Sequence, residues 1–255
     1  MNHLPNKNIE QLTTDMLQKL TYQYDRKNGK IFDFILKDNE IYIAMYNEQK
    51  GVTQIEIPDF VSGFLYETVK RKDGSSVFFG PFRNAEHLKW IQLGRRLHQL
   101  SGMFAGTKLQ KISIGNWDVS QITHMDKMFA NSNLREIGNL DHWNVSKVEN
   151  MSYMFYESHV ENIGDLSNWN VSNVTNMDHL FSEVKLTTIG NIDRWNVSKV
   201  TTMWNLFAWS QLKSIGDLSR WDVSRVTNMK SMFAGSKELE RIGNLSHWDV
   251  SRVTN

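Results

Sequence analysis

The chain of 255 residues contains no cysteine, which excludes disulfides, thiol catalysis and cysteine-bound zinc. Net charge is nearly absent as well. Its 29 basic and 28 acidic side chains leave +1, so no long-range field draws the protein toward nucleic acid or anionic lipid, and nucleic acid is not an expected partner. No stretch reaches the roughly 18 apolar residues that a membrane span requires. The N-terminal segment MNHLPNKNIEQLTTDMLQKL carries acidic residues and no apolar run, so it does not read as a secretory signal. Catalytic pairings are missing too: Asp25, Asp33, Glu40, Glu48, Asp59 and Glu67 form no recognisable acid and base pair, and His3 and His87 stand alone. No catalytic residue, cofactor or metal site is assigned, no small-molecule substrate is expected, and the chain is read as non-enzymatic.

What is present is a repeated sentence. It runs WDVSQITHMDKMF from Trp117, WNVSKVENMSYMF from Trp143, WNVSNVTNMDHLF from Trp169, WNVSKVTTMWNLF from Trp195 and WDVSRVTNMKSMF from Trp221, with a sixth copy begun at Trp248. Tryptophans recur every 26 residues, with 27 in the last interval. A period of this length marks an array whose members cannot bury an apolar face alone and must stack. Leu97, Leu100, Met103 and Phe104 match the later apolar positions and form a degenerate first copy.

The expected fold is α/β: a repeat solenoid of the leucine-rich-repeat type with short helices and short strands, occupying residues 83–255, behind a small non-repeating α+β unit of residues 1–82. In that unit the spacing of Ile9, Leu12, Met16 and Leu20 predicts a helix over Asn8 to Leu20, and KIFDFIL, EIYIAMY, VTQIEIP and SSVFFGPF read as strands of an antiparallel sheet. A further helix is predicted from Asn84 to Ser101. Within each repeat, Ile122, Met125, Met128 and Phe129 and their counterparts predict a short helix, with Ser120, Ser146, Ser172, Ser198 and Ser224 as its N-cap.

The glycines at 138, 164, 190, 216 and 243 read as a bend in each copy, followed by Asn or Asp that bonds the turn backbone. One oxygen-bearing side chain per copy is too few for calcium. The tryptophan and methionine columns read as core, because a residue identical in every layer is one that every layer buries.

Quoted in full, W[DN]VSxVTxMxxMF closely resembles the BspA-like family of bacterial leucine-rich-repeat-type surface proteins, over about Leu97 to Asn255. The resemblance implies bacterial surface display, adhesion and binding of host or matrix proteins, and it brings no catalytic motif. The chain shows neither the secretion signal nor the LPxTG-like anchor of that family, so if complete it is expected in the cytoplasm. An intracellular binder or inhibitor, encoded by a mobile element, is then the alternative.

Partner-binding candidates come from departures within variable columns. Trp204 and Trp209, with Tyr153 and Tyr156 two copies earlier, break columns otherwise polar or small and are read as exposed anchors of a protein-binding patch. Local packing against the N-terminal unit, or an uneven contact between copies, is the other reading. Lys199 and Arg225 after the serine, and Arg194 and Arg220 before tryptophan, give a basic strip along one edge or simply solvated side chains among acids. Off-pattern aromatics facing solvent would also suit a glycan. The incomplete last copy suggests a homodimer through an uncapped edge.

Overall fold

The computed structural model describes residues 14–38 and 40–255. Helix α1 (Thr14–Asn28) is followed by strands β1 (Phe32–Lys37), β2 (Glu40–Tyr46), β3 (Gln54–Glu56), β4 (Val61–Phe64), β5 (Glu67–Lys70), β6 (Ser76–Phe79) and β7 (Trp90–Gln92). Of the helix predicted over Asn8 to Leu20, residues 14–20 are helical and α1 continues to Asn28, while Ile9 and Leu12 fall outside the described residues. Leu20, one of the predicted apolar positions, and Tyr24 pack against the core, and the Tyr24 ring meets Phe34 and Phe60 edge-on at 5.7 and 5.9 Å.

Three of the predicted segments pair differently from a simple antiparallel sheet. β1 and β2 are antiparallel, but β2 pairs with β4 in parallel and β3 with β7 in parallel, while β5 and β6 form a separate antiparallel hairpin. β7 lies inside the stretch predicted as a helix from Asn84 to Ser101; that stretch contains turns and a strand and no helix.

The expected α/β leucine-rich-repeat solenoid is also corrected. Among the described residues the single α-helix is α1, outside the repeats, and the repeats hold only isolated parallel bridges, tight turns and three short 3₁₀ turns at Leu166–Asn168, Leu218–Arg220 and Leu245–His247. The architecture is predominantly β-type: small sheets continued by single-residue bridges. One line of bridges joins His124, Asn150, Asn176, Thr202 and Asn228, and another joins Thr188, Ser214 and Arg241.

The physical reason is in the backbone. Where a helix would bond each N–H to the fourth residue back, Met128 and Ala130 bond three residues back, to Met125 and Lys127. The alternate N–H groups of Lys127, Phe129 and Asn131 cross to Ser152, Met154 and Tyr156 of the next copy at 2.8–2.9 Å. Half of the donors close turns and half tie layers together, so no helix forms.

Nor does the serine act as a helix cap. Its backbone N–H donates to the side chain two residues earlier, Ser120 to Asp118 at 3.0 Å and Ser172 to Asn170 at 3.1 Å, so the Asp or Asn of W[DN]VS makes the turn.

Packing follows the columns. Trp143, Trp169, Trp195 and Trp221 are each 3% exposed, and each indole N–H donates to a carbonyl of the preceding copy, as Trp169 does to Leu140 at 2.9 Å. Phe104, Phe129, Phe155, Phe181, Phe207 and Phe233 form a continuous stack with ring centres 5.3–6.0 Å apart. Phe82 extends it toward the N-terminal unit, 5.6 Å from Phe104, and the buried core runs unbroken from Phe32 to Met232. Gly190 has φ +82°, and a Cβ there would lie 1.8 Å from Asp165 Oδ1, so the bend needs glycine both for its left-handed backbone and for the close approach of the preceding copy.

Candidate aromatic ridge beside the hairpin

The turns after each second methionine bring two columns of left-handed residues to one ridge. The first holds Gly102, Lys127, Tyr153, His179, Asn205 and Ser231, and the second Gly106, Asn131, Glu157, Glu183, Trp209 and Gly235, with φ between 49° and 67° at all of them. The residues in these two columns differ from copy to copy, whereas the Met or Leu and Phe columns between them stay apolar.

The β5–β6 hairpin covers the early part of this ridge. Glycines make room for it: a Cβ on Gly102 would lie 2.5 Å from the Tyr66 ring, and one on Gly106 would lie 2.7 Å from the Phe78 carbonyl. The Phe78 N–H donates to Asn131 Oδ1 at 3.0 Å, and the Phe78 ring meets Tyr153 and Tyr156 edge-on at 5.3 and 6.5 Å. Lys127 is enclosed by the rings of Tyr66, Phe78 and Tyr153, 5.1–5.6 Å from their centres, and donates to Asp126 Oδ2 at 3.0 Å. Asp126 also accepts from Tyr66 at 3.2 Å and from Ser101 at 2.5 Å. Burial works against the Lys127 ammonium, but Asp126 and Tyr66 outweigh it and raise its pKa.

At the far edge of the hairpin, Arg71 donates through both terminal nitrogens to Glu157, at 2.7 and 2.8 Å. Asn131 and Tyr156 add two more bonds to the same carboxylate, each 2.7 Å. Burial pushes the Glu157 carboxyl up; the bonds from Arg71 and Tyr156 prevail and hold it below its ordinary value.

Beyond Glu157 the ridge lies past these hairpin contacts. His179 is 8% exposed, stacked on Tyr153 at 4.3 Å and touched edge-on by Trp204 at 4.7 Å. Burial lowers its pKa to about 4, so it is neutral at neutral pH. Next to it, Asp178 accepts from the Thr202 hydroxyl and the Trp204 N–H at 2.5 and 2.8 Å; burial dominates and its pKa is raised.

The four aromatics singled out from the sequence are therefore gathered on one ridge but not equally presented. Tyr156 is buried at 4% exposure, a correction to its reading as an exposed anchor: Phe78 of the hairpin covers it. Tyr153 and Trp204 are half-buried around His179. Trp209 is the open one, 57% exposed, its indole lying across Gly235, where a Cβ would come within 2.2 Å of the ring.

The basic residues stay apart from this ridge. Arg194 and Arg220 are exposed and flank Trp195 around a depression of about 470 Å³ that also takes in Asp193 and Asp222, so its charge is mixed. Lys199 donates to Asn173 Oδ1 at 2.7 Å, and Arg225 is exposed. A larger cavity of 760 Å³ lies at the joint before the first full repeat, between Trp90 and Trp117.

The N-terminal carboxylates have structural tasks: Glu48 accepts from the N–H groups of Glu86 and His87 at 3.0 and 2.8 Å, and Asp59 from that of Arg95 at 2.8 Å. Among the described residues no group of three His, Asp or Glu side chains is arranged to hold a metal, and no helix is long and apolar enough to cross a membrane.

Sequence reasoning missed the docked hairpin, His179 and the Glu157 and Glu183 pair. The signal lay in the columns themselves: the first runs Gly, Lys, Tyr, His, Asn, Ser and the second Gly, Asn, Glu, Glu, Trp, Gly, while the Met or Leu and Phe columns between them hardly change.

The repeats place the chain in a known class of sequences. It belongs to the family described as Mycoplasma protein of unknown function, DUF285, which matches residues 98–211 and again residues 181–255, together more than half of the chain. No curated protein and no solved structure matches it.

Proposed function

We propose that this chain is a non-enzymatic protein-binding module that docks its partner along the left-handed ridge beyond the hairpin. The observation that carries this reading is Trp209, a large aromatic 57% exposed in the column where the protein's own hairpin docks on Glu157 two layers earlier. Exposed tryptophans beside closely packed polar groups are typical anchors of protein contacts. The BspA-like resemblance of the W[DN]VSxVTxMxxMF copies supports an adhesin-like role toward host or matrix protein.

The test is capture with the tagged chain from host matrix and serum protein, in parallel with lysate of the source cells, using wild type and Trp209→Ala. A matrix or serum protein held by wild type and lost with Trp209→Ala supports the reading. A sole intracellular partner, equally sensitive, replaces adhesion with an intracellular binder or inhibitor. Partners held equally by both proteins refute the ridge.

A further inference from the structure

Glu183 and Trp209 sit on adjacent layers of the open ridge. The Glu183 N–H donates at 2.8 Å to the carbonyl of Ala208, the residue before Trp209, so their side chains leave the ridge about 5 Å apart, the spacing of neighbouring strands. Both have positive φ, 58° and 51°, in the same column. Among the described residues the Glu183 carboxylate takes part in no ion pair or side-chain hydrogen bond, although it is exposed. One layer earlier in the same column, Glu157 is filled by Arg71 from the hairpin through a two-pronged contact. The column thus shows, within the molecule, what its carboxylates accept, and repeats the acceptor one layer on with an open indole beside it.

We propose that Glu183 and Trp209 form a receptor for an arginine side chain presented by the protein partner, an inference that rests on the ridge-docking reading above. A planar guanidinium lays its face on an indole while its edge donates two parallel bonds to a carboxylate. An ammonium has no such edge and face. The site where this chain holds a lysine, at Lys127, is built differently, with three rings closing around the charge and none left open. The Arg71 contact also gives the approach: the partner's chain runs over the ridge as the hairpin does, adjoining it at Glu157.

The probe is N-acetyl-arginine amide, titrated into the full chain with N-acetyl-lysine amide as comparison, and the readout is the ¹⁵N–¹H indole resonance of Trp209, assigned through Trp209→Phe. The arginine compound is expected to shift that resonance saturably. Glu183→Gln should weaken it about tenfold, the loss of one charge-assisted contact, and the lysine compound should bind more weakly. Absence of a Trp209 shift at the highest soluble concentration, or equal affinity in Glu183→Gln, overturns the proposal. If Trp209→Ala abolishes capture of a partner while arginine leaves the indole unmoved, the docking ridge stands and the arginine receptor falls. Unchanged capture together with an arginine shift overturns the docking reading instead.

Discussion

Arg71 and Glu157, 86 residues apart in the chain, are joined by two parallel bonds of 2.7 and 2.8 Å that fasten the β5–β6 hairpin onto the repeats. The carboxylate is only 21% exposed and holds two further bonds, so this pair is better ordered than an ordinary surface ion pair. Glu157→Gln should cost about 1–2 kcal/mol in urea unfolding. The amide protons of β5 and β6 should lose protection before those of the repeats. Uniform loss of protection across the chain would mean that the hairpin is not a separate latch.

The same contact has a pH signature. Because the Glu157 carboxyl is held below its ordinary value, its contribution is complete above the unfolded carboxylate range, about pH 4.3, and is lost as pH falls through the lowered folded value. The hairpin should loosen in that acid window. In Glu157→Gln this part of the acid transition should disappear, as followed by near-UV circular dichroism.

His179 acts in a higher window. Its folded pKa of about 4 lies below the unfolded value of about 6.5. Between those values the unfolded chain binds more protons, so stability falls as pH drops from about 6.5 toward 4, by at most about 3 kcal/mol. His179→Phe keeps an aromatic ring between Tyr153 and Trp204 and should flatten the dependence of unfolding free energy on pH over that interval. An unchanged slope would show that the ring is hydrated in solution.

Two tryptophans should behave oppositely. Trp169→Ala removes a ring 3% exposed and its bond to Leu140, and should cost about 3–5 kcal/mol. Trp209→Ala removes a ring 57% exposed and should change stability by no more than about 0.5 kcal/mol. Thermal or urea unfolding of the two variants side by side is decisive.

Gly190→Ala should cost about 1–2 kcal/mol from its left-handed backbone alone, and more from the approach to Asp165 Oδ1. Adding Asp165→Ala should recover the steric part and leave the conformational part. Full recovery in urea unfolding of the double variant would place the whole cost in the side-chain clash.

Legibility in the sequence was uneven, and particular residues show why. The apolar positions Val119, Ile122, Met125 and Met128, and again Leu134, Ile137, Leu140 and Trp143, are each three apart. An α-helix turns about 100° per residue, so a strict spacing of three drifts about 60° per step off any one face. Successive turns closed three residues back keep such positions aligned, as the Trp143 N–H to Leu140 and Met154 N–H to Met151 bonds do. The added phenylalanine after the second methionine imitated helical spacing and led to helices that do not form. β4, β5 and β7 were missed because they are three or four residues long, and β4 and β7 gain their pairing from strands distant in the chain.

The amino-acid sequence by itself determined the 26-residue period, the buried tryptophan, methionine and phenylalanine columns and the glycine bends, because each copy meets neighbours like itself and the same local pattern must solve the same packing in every layer. Tertiary structure alone decided which departures from that pattern are sites. Tyr156 and Trp209 stand out equally in the sequence, yet Phe78 of a hairpin 78 residues earlier covers the first, while the second rests on Gly235 and faces water. Exposure depends on what crosses the ridge from far along the chain, and the repeat itself carries no record of that.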